Sequence, residues 1–112
     1  MRLTNKKILE KLKRKNRGNI PLNKAIDQLI KDINDNNWKN QTELNKTRKD
    51  ADNVHSDGFY FFNINSHRTM ILIEFDINEA TAVWVGTHRE YETTFKNNSN
   101  TIKKWLKSND WI

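Results

Sequence analysis

The chain has no cysteine, a single proline and only three glycines among its 112 residues. Without cysteine, neither a disulfide framework nor a thiolate zinc site can hold the fold, and a reducing compartment is compatible with this composition. No stretch approaches the roughly 20 apolar residues of a membrane span. The first residues also lack the apolar middle of a signal peptide. These absences predict a cytoplasmic protein with no membrane partner.

Length and aromatic content predict one domain over residues 1–112. A chain of this size has little room for a second core. Hydrophobic residues make up 35% and charged residues 30%, which is polar for a globular protein. Four tryptophans and five phenylalanines nevertheless supply large side chains, which favours a modest but real core.

Positive charge is concentrated at the N-terminal end. The formal net charge is +6, and eight of the twenty Lys and Arg residues lie in residues 1–17 beside one acid, Glu10. That leaves twelve basic and thirteen acidic side chains in the rest of the chain. Clustered Lys and Arg attract phosphates and release counterions on binding. On charge alone, a polyanion-binding surface and a solvated helix face both remain open.

Apolar spacing predicts two N-terminal helices after a short possible strand. The first helix covers residues 6–16, with Thr4 or Asn5 as its cap and Gly18 at its end. The second starts near Pro21 and repeats apolar residues at spacings of three and four, which makes it the clearest helix in the sequence. Together the two helices predict an antiparallel hairpin that needs a sheet to cover its apolar stripe.

The second half of the chain has the period of β-strands. Runs at 59–64, 68–77 and 81–87 are rich in aromatic and β-branched residues and are separated by short turns. The tail returns to helical spacing, and "NNSN" at 97–100 is a good capping stretch. The predicted class is α+β, an antiparallel sheet of three to four strands packed against an N-terminal helical hairpin, with a helical C-terminal tail.

The last strand ends in "VWVGTHREYE", residues 83–92. Alternation along this strand places Val83 and Val85 on one face and Trp84 and Gly86 on the other. His88 is the histidine that we predict at a strand end beside other polar groups, where an imidazole can exchange protons near neutrality.

Four stretches carry a family resemblance, in order and at sensible spacing over roughly residues 20–95. They are "WKN" at 38–40, "DADNV" at 50–54, "GFYFFNI" at 58–64 and "VWVGTHREYE" at 83–92. They resemble the HigB-like toxins of the RelE/ParE superfamily. The resemblance implies a RelE-like fold and a small bacterial toxin that cleaves messenger RNA, usually on the ribosome, and so inhibits translation and growth. It also implies a HigA-like antitoxin partner that contains a helix-turn-helix.

Metal-free RNA cleavage needs a base, cations for the phosphorane and an acid for the leaving oxygen. We predict His88 as the acid or base, Arg68 as the clamp on the scissile phosphate and Tyr91 as a residue that stacks on a base or binds phosphate. Structural alternatives stay open for all three, namely a turn-ordering histidine, an edge charge and an ordinary core tyrosine. Relatives usually carry an arginine further along the middle strand, where this chain has Met70.

Other cationic residues are assigned to RNA binding. They are Lys46, Arg48 and Lys49 before the sheet, Arg89 beside the histidine, and Lys11, Arg14 and Lys15 in the first helix. We expect the first helix to lie against ribosomal RNA and not at the cleavage site. Three acids near a hairpin, Glu74, Asp76 and Glu79, are interpreted as solvated, and neither a metal nor any other cofactor is predicted.

Two further functions remain open. The ParE branch of the same superfamily has a similar fold and is taken to act on DNA gyrase, which would make this chain a protein-binding poison. A basic module that binds nucleic acid without catalysis would also account for the charge.

Overall fold

A computed structural model describes all 112 residues as a five-stranded sheet with helices on both faces. None of its helices is both long enough and apolar enough to cross a lipid bilayer. In chain order the elements are β1 (Arg2–Thr4), α1 (Lys7–Lys15), α2 (Ile20–Asp35), α3 (Gln41–Thr47), β2 (Asp52–His55), β3 (Phe59–Ile64), β4 (His67–Glu74), a 3₁₀ turn (Phe75–Ile77), β5 (Glu79–Thr87), α4 (His88–Phe95) and α5 (Ser99–Ser108).

The strand order across the sheet is β1-β5-β4-β3-β2. Strands β3 to β5 are antiparallel as predicted, and β2 adds a fourth antiparallel strand, whereas β1 pairs in parallel with β5 and places Leu3 opposite Ala80. The sheet therefore has one strand more than the predicted three to four, and it is not wholly antiparallel. The missed strand, β2, is short and polar, and the predicted middle strand stops at Glu74 because the next three residues form the 3₁₀ turn.

The helical hairpin of α1 and α2 covers one face of the sheet. Its α2 begins as predicted, with Asn19 accepting a hydrogen bond from the Leu22 amide at 3.2 Å and Pro21 in the first turn. The predicted cap of α1 was wrong, because α1 follows Lys6 with no side-chain cap. Asn5 instead adopts a positive φ of 57° and donates its side-chain amide to the Ala82 carbonyl oxygen at 2.7 Å. That contact ties the start of α1 to β5.

Helices α4 and α5 cover the opposite face of the sheet. The sequence had predicted this tail to be helical, but only the N-terminal hairpin had been predicted to pack against the sheet. Phe61, Phe95 and Trp84 pack edge to face there, with ring centroids 5.0 to 6.3 Å apart. The C-terminal helix α5 adds Ile102 and Leu106, both buried. The predicted helical tail is therefore the second covering layer of the sheet.

A β-bulge at Val83 changes which face the end of β5 presents. Met70 pairs with Trp84 and Ile71 pairs with Ala82, so Val83 has no partner on β4. Val83 and Trp84 consequently both pack on the α4–α5 side, and Val85 packs on the hairpin side. Simple alternation had placed Val83 and Val85 together, and the extra residue explains why that prediction was wrong.

Candidate active site

The candidate site lies at one end of the sheet, where the β3–β4 turn meets the end of β5 and the start of α4. His67 pairs with Thr87 across β4 and β5, and the His88 amide donates to the Ser66 carbonyl oxygen at 3.2 Å. A capping box fixes the junction, because Thr87 Oγ1 accepts from the Glu90 amide at 3.0 Å and Glu90 Oε1 accepts from the Thr87 amide at 2.8 Å. Strand β5 therefore ends, and α4 begins, at a corner that these hydrogen bonds hold in place.

Glu90 closes this corner with its carboxylate. Hydrogen bonds from Thr87, with a smaller contribution from the nearby His67, lower the pKa of the Glu90 carboxyl below its usual value. The carboxylate is thus ionised at neutral pH and is occupied by the cap.

His88 stands at the first position of α4 with its side chain 63% exposed. Its Nε2 lies 3.1 Å from Glu92 Oε1, one turn along the helix. Its ring stacks on Tyr91 with centroids 5.9 Å apart and planes 22° apart. The imidazole is therefore accessible, has a carboxylate partner and is supported from beneath by an aromatic ring.

Arg68 lies over the same aromatic support. The centre of its guanidinium is 4.4 Å from the Tyr91 ring centroid and 5.6 Å from that of Phe61. Its Nε donates to Asn63 Oδ1 at 3.1 Å, while its two terminal amino groups make no hydrogen bond within the protein. A guanidinium with both terminal amino groups free has the fork geometry that can bind two oxygens of one phosphate.

Tyr91 is buried, with 3% of its surface exposed. Its hydroxyl donates to Asn97 Oδ1 at 3.0 Å, and its ring packs edge to face on Phe61 at 4.9 Å. This geometry favours the core role that the sequence had left open, because neither the ring face nor the hydroxyl is free for RNA. Tyr91 is the platform that holds Arg68 and His88.

A cleft of about 570 Å³ lies on the other side of the same strand end, between α1 and the sheet. Lys11 and Lys15 line it from α1, and His67 and Thr87 line it from β4 and β5. His67 Nδ1 lies 3.0 Å from Ser66 Oγ. We had expected α1 to lie away from the site and had assigned no role to His67. The pleat of β4 explains the position of His67, because neighbouring strand residues such as His67 and Arg68 point to opposite faces of the sheet.

The HigB toxin family model, described as the RelE-like toxic component of a toxin-antitoxin system, matches residues 22–94, more than half of the chain. The chain belongs to the HigB toxin family. Membership makes it a toxin of a toxin-antitoxin system and implies an antitoxin partner. No curated protein matches the chain. The match includes Arg68, His88 and Tyr91, whereas α1 and α5 lie outside it.

Met70 stands where relatives usually carry an arginine, and its surroundings show whether an arginine would fit there. The residue is fully buried in the aromatic core, opposite Trp84. An arginine at this position would bury its charge among Phe and Trp rings at a high desolvation cost. Arg68 is two residues nearer the start of β4 and lies on the same face, but its side chain is only partly buried. Of positions 68 and 70, it is therefore position 68 that can present a guanidinium to a ligand.

Arg48 has an internal position that the RNA-binding prediction did not anticipate. Its side chain is only 13% exposed and contacts Asp50 at 2.8 Å and Asp32 at 3.3 Å. It also donates to the Asn63 carbonyl oxygen at 3.1 Å, and Asp50 accepts from the Asn63 amide at 2.8 Å. Because Asn63 in turn holds Arg68, we correct the assignment of Arg48 from RNA ligand to a residue that positions the site.

The remaining predicted cations are all exposed. Lys46 lies at the end of α3 and Lys49 just after it, Arg89 follows His88, and Arg14 lies on α1 outside the cleft. Among the acids, Glu79 forms an ion pair with Arg2 at 2.6 Å. No three histidine, aspartate or glutamate side chains converge into a group that could hold a metal ion.

Proposed function

We propose that this HigB-family toxin is an mRNA interferase, a metal-independent RNA endonuclease that acts on ribosome-bound messages in the cytoplasm. One observation carries the proposal. An exposed imidazole with a carboxylate partner, His88, and a guanidinium with a free fork, Arg68, rest on one buried ring, Tyr91, at the end of the sheet.

The chemistry follows from these groups. Glu92 Oε1 lies 3.1 Å from His88 Nε2. This carboxylate favours the tautomer with its proton on Nε2, which leaves Nδ1 as the base that removes the proton from a ribose 2′-hydroxyl. The 2′-oxygen then attacks the adjacent phosphorus, and the phosphorus–O5′ bond breaks. Arg68 stabilises the extra negative charge on the phosphorane. The leaving 5′-oxygen takes a proton from solvent, so the products are a 2′,3′-cyclic phosphate and a 5′-hydroxyl.

The test is cleavage of a defined messenger RNA by the purified protein, with and without ribosomes. We expect cleavage by the wild type and its loss in His88→Ala and Arg68→Ala variants that retain the wild-type circular dichroism. His55→Ala is the matched control, because His55 lies at the end of β2, away from this corner. Inhibition of DNA gyrase supercoiling with intact RNA would instead support a gyrase poison.

The antitoxin is proposed to be a HigA-like protein with a helix-turn-helix. Co-expression of such a protein from the neighbouring gene is expected to restore growth and to form a stable complex with the toxin. Continued growth arrest together with a failure to co-purify would contradict this assignment.

A further inference from the structure

We propose that the cleft between α1 and the strand end binds a nucleotide of the single-stranded RNA, next to the phosphate that is cleaved. The inference rests on the proposed nuclease function and deepens it by tracing the path of the substrate. Lys11 and Lys15 of α1 lie outside the residues that the family model matches.

The cleft combines an apolar floor with a cationic rim. Ile8 and Leu12 of α1 and Val85 of β5 pack against the hairpin core at its base. Lys11 and Lys15 are one helical turn apart on the same face of α1 and are both exposed. A ribonucleotide has matching chemistry, since its base and sugar present apolar surface and its phosphate carries the charge.

The two lysines are uncommitted. Neither makes an ion pair within the protein, whereas Lys13 of the same helix contacts Asp27 at 2.5 Å. The one acid on the wall, Glu90, is turned to the Thr87 amide by the capping box. A phosphate in this cleft is therefore drawn to the α1 side, away from Glu90.

Two residues that line the cleft are the chain neighbours of residues in the candidate active site. His67 and Thr87 line the cleft, and the residues that follow them, Arg68 and His88, belong to the catalytic face. Side chains of successive strand residues point to opposite faces. One RNA strand that crosses the end of the sheet can thus place consecutive nucleotides against both sets of residues.

The experiment measures binding separately from cleavage. A fluorescein-labelled 2′-O-methyl RNA oligonucleotide lacks the attacking hydroxyl, so it reports affinity by fluorescence anisotropy without being cut. The variant is Lys11→Gln with Lys15→Gln. The matched control is Lys6→Gln with Lys7→Gln, which removes the same charge from exposed positions at the start of α1, outside the cleft.

We expect the cleft variant to bind about tenfold more weakly and its salt slope to fall by about 1.4, or roughly 0.7 for each lost phosphate contact. The control should change affinity by less than about threefold. Equal affinities of the two variants would overturn the inference, as would a wild type that binds no RNA or a cleft variant that loses only antitoxin binding.

The outcomes separate this inference from the proposed function. Binding of the probe that depends on Lys11 and Lys15, without cleavage of unmodified RNA, would support the cleft and reject the nuclease. Cleavage by the wild type, with equal RNA affinity of the two variants, would support the nuclease and reject the cleft.

Discussion

The two faces of the sheet are built from different side chains. The hairpin face is largely aliphatic, with Leu22, Ile26 and Ile71 in its core, whereas the α4–α5 face is largely aromatic. Aliphatic side chains pack with no preferred mutual orientation. Aromatic rings prefer defined mutual orientations, and their flat faces can support a charged group. The aromatic core therefore also serves as the floor of the candidate site.

The charged residues follow the same division. On the aromatic side, Arg68 and His88 are held on Tyr91 in fixed positions. On the hairpin side, Lys11 and Lys15 border an open cleft and have no partners. We infer that the first set does chemistry, which needs precise placement, and that the second set attracts RNA, which needs charge more than geometry.

The largest expected effect is on stability, at the support behind the site. Arg48→Ala should lower the free energy of unfolding by about 3 kcal/mol, because it leaves the largely buried Asp32 and Asp50 without their cation. Urea denaturation measures this. The exposed Arg89→Ala should stay within about 0.5 kcal/mol. If Arg48→Ala kept full stability and lost only RNA binding, Arg48 would be an RNA ligand after all.

The second effect is on activity at the aromatic face. Arg68→Ala should slow RNA cleavage by about 10²–10³-fold, since it removes the cation that faces the phosphorane. Single-turnover cleavage measures this, with Lys107→Ala on α5 as a distant control of the same charge change. A rate within a factor of about two of the wild type would remove Arg68 from the site.

The third effect tests how tightly the aromatic face is packed. A Cβ at Gly86 would lie 2.6 Å from two ring atoms of Trp84, and Phe61 and Phe95 hold that ring in place. Gly86→Ala should therefore cost about 1–3 kcal/mol in thermal or urea unfolding. Gly18→Ala is the control, because a Cβ there meets nothing within 4 Å. Equal stabilities of the two variants would show that the Trp84 ring can move aside.

The smallest effect concerns the capping box at the corner. Thr87→Ala should cost about 1 kcal/mol at pH 7. The pKa of Glu90 is lowered in the folded state, so its contribution is complete above its unfolded-state pKa and is lost as the pH falls through the folded value. The difference in Tm between the wild type and Glu90→Gln should thus shrink below pH 4.5, the usual Glu value. A difference that grows in acid would have the wrong sign.

Local signals in the sequence predicted much of the fold. Asn19 and Pro21 mark the start of α2, and Asn98 in the asparagine-rich stretch caps α5 as expected. The strand-to-helix corner at Thr87 was also visible as a pattern. These features depend on residues close in the chain, which is why they could be predicted.

Features set by distant contacts could not be predicted in this way. The polar segment 41–55 gave no periodic signal, yet α3 forms there with Leu44 buried against the rest of the protein, and β2 forms by pairing with β3. The bulge at Val83 shifts side chains between faces without any glycine to mark it. The internal position of Arg48 depends on Asp32, sixteen residues away.

Part of the candidate site could be predicted because its residues are close together in the chain. The motif around His88 is contiguous, and the resemblance singled it out, whereas Arg68 lies outside the stretches that carry the resemblance. The α1 cleft joins residues from opposite ends of the chain, Lys11 and Thr87, and no local pattern connects them. Tyr91 had been assigned to catalysis as well as to the core, and its burial favours the core role.

The most direct test of the central claim is cleavage of a messenger RNA on translating ribosomes by the wild type and by His88→Ala. We predict cut sites that end in 2′,3′-cyclic phosphates with the wild type and a cleavage rate about 10²–10⁴-fold lower with the variant. The variant should keep its stability, because the His88 side chain is 63% exposed. Intact RNA with the wild type, or equal cleavage by the two proteins, would contradict the account.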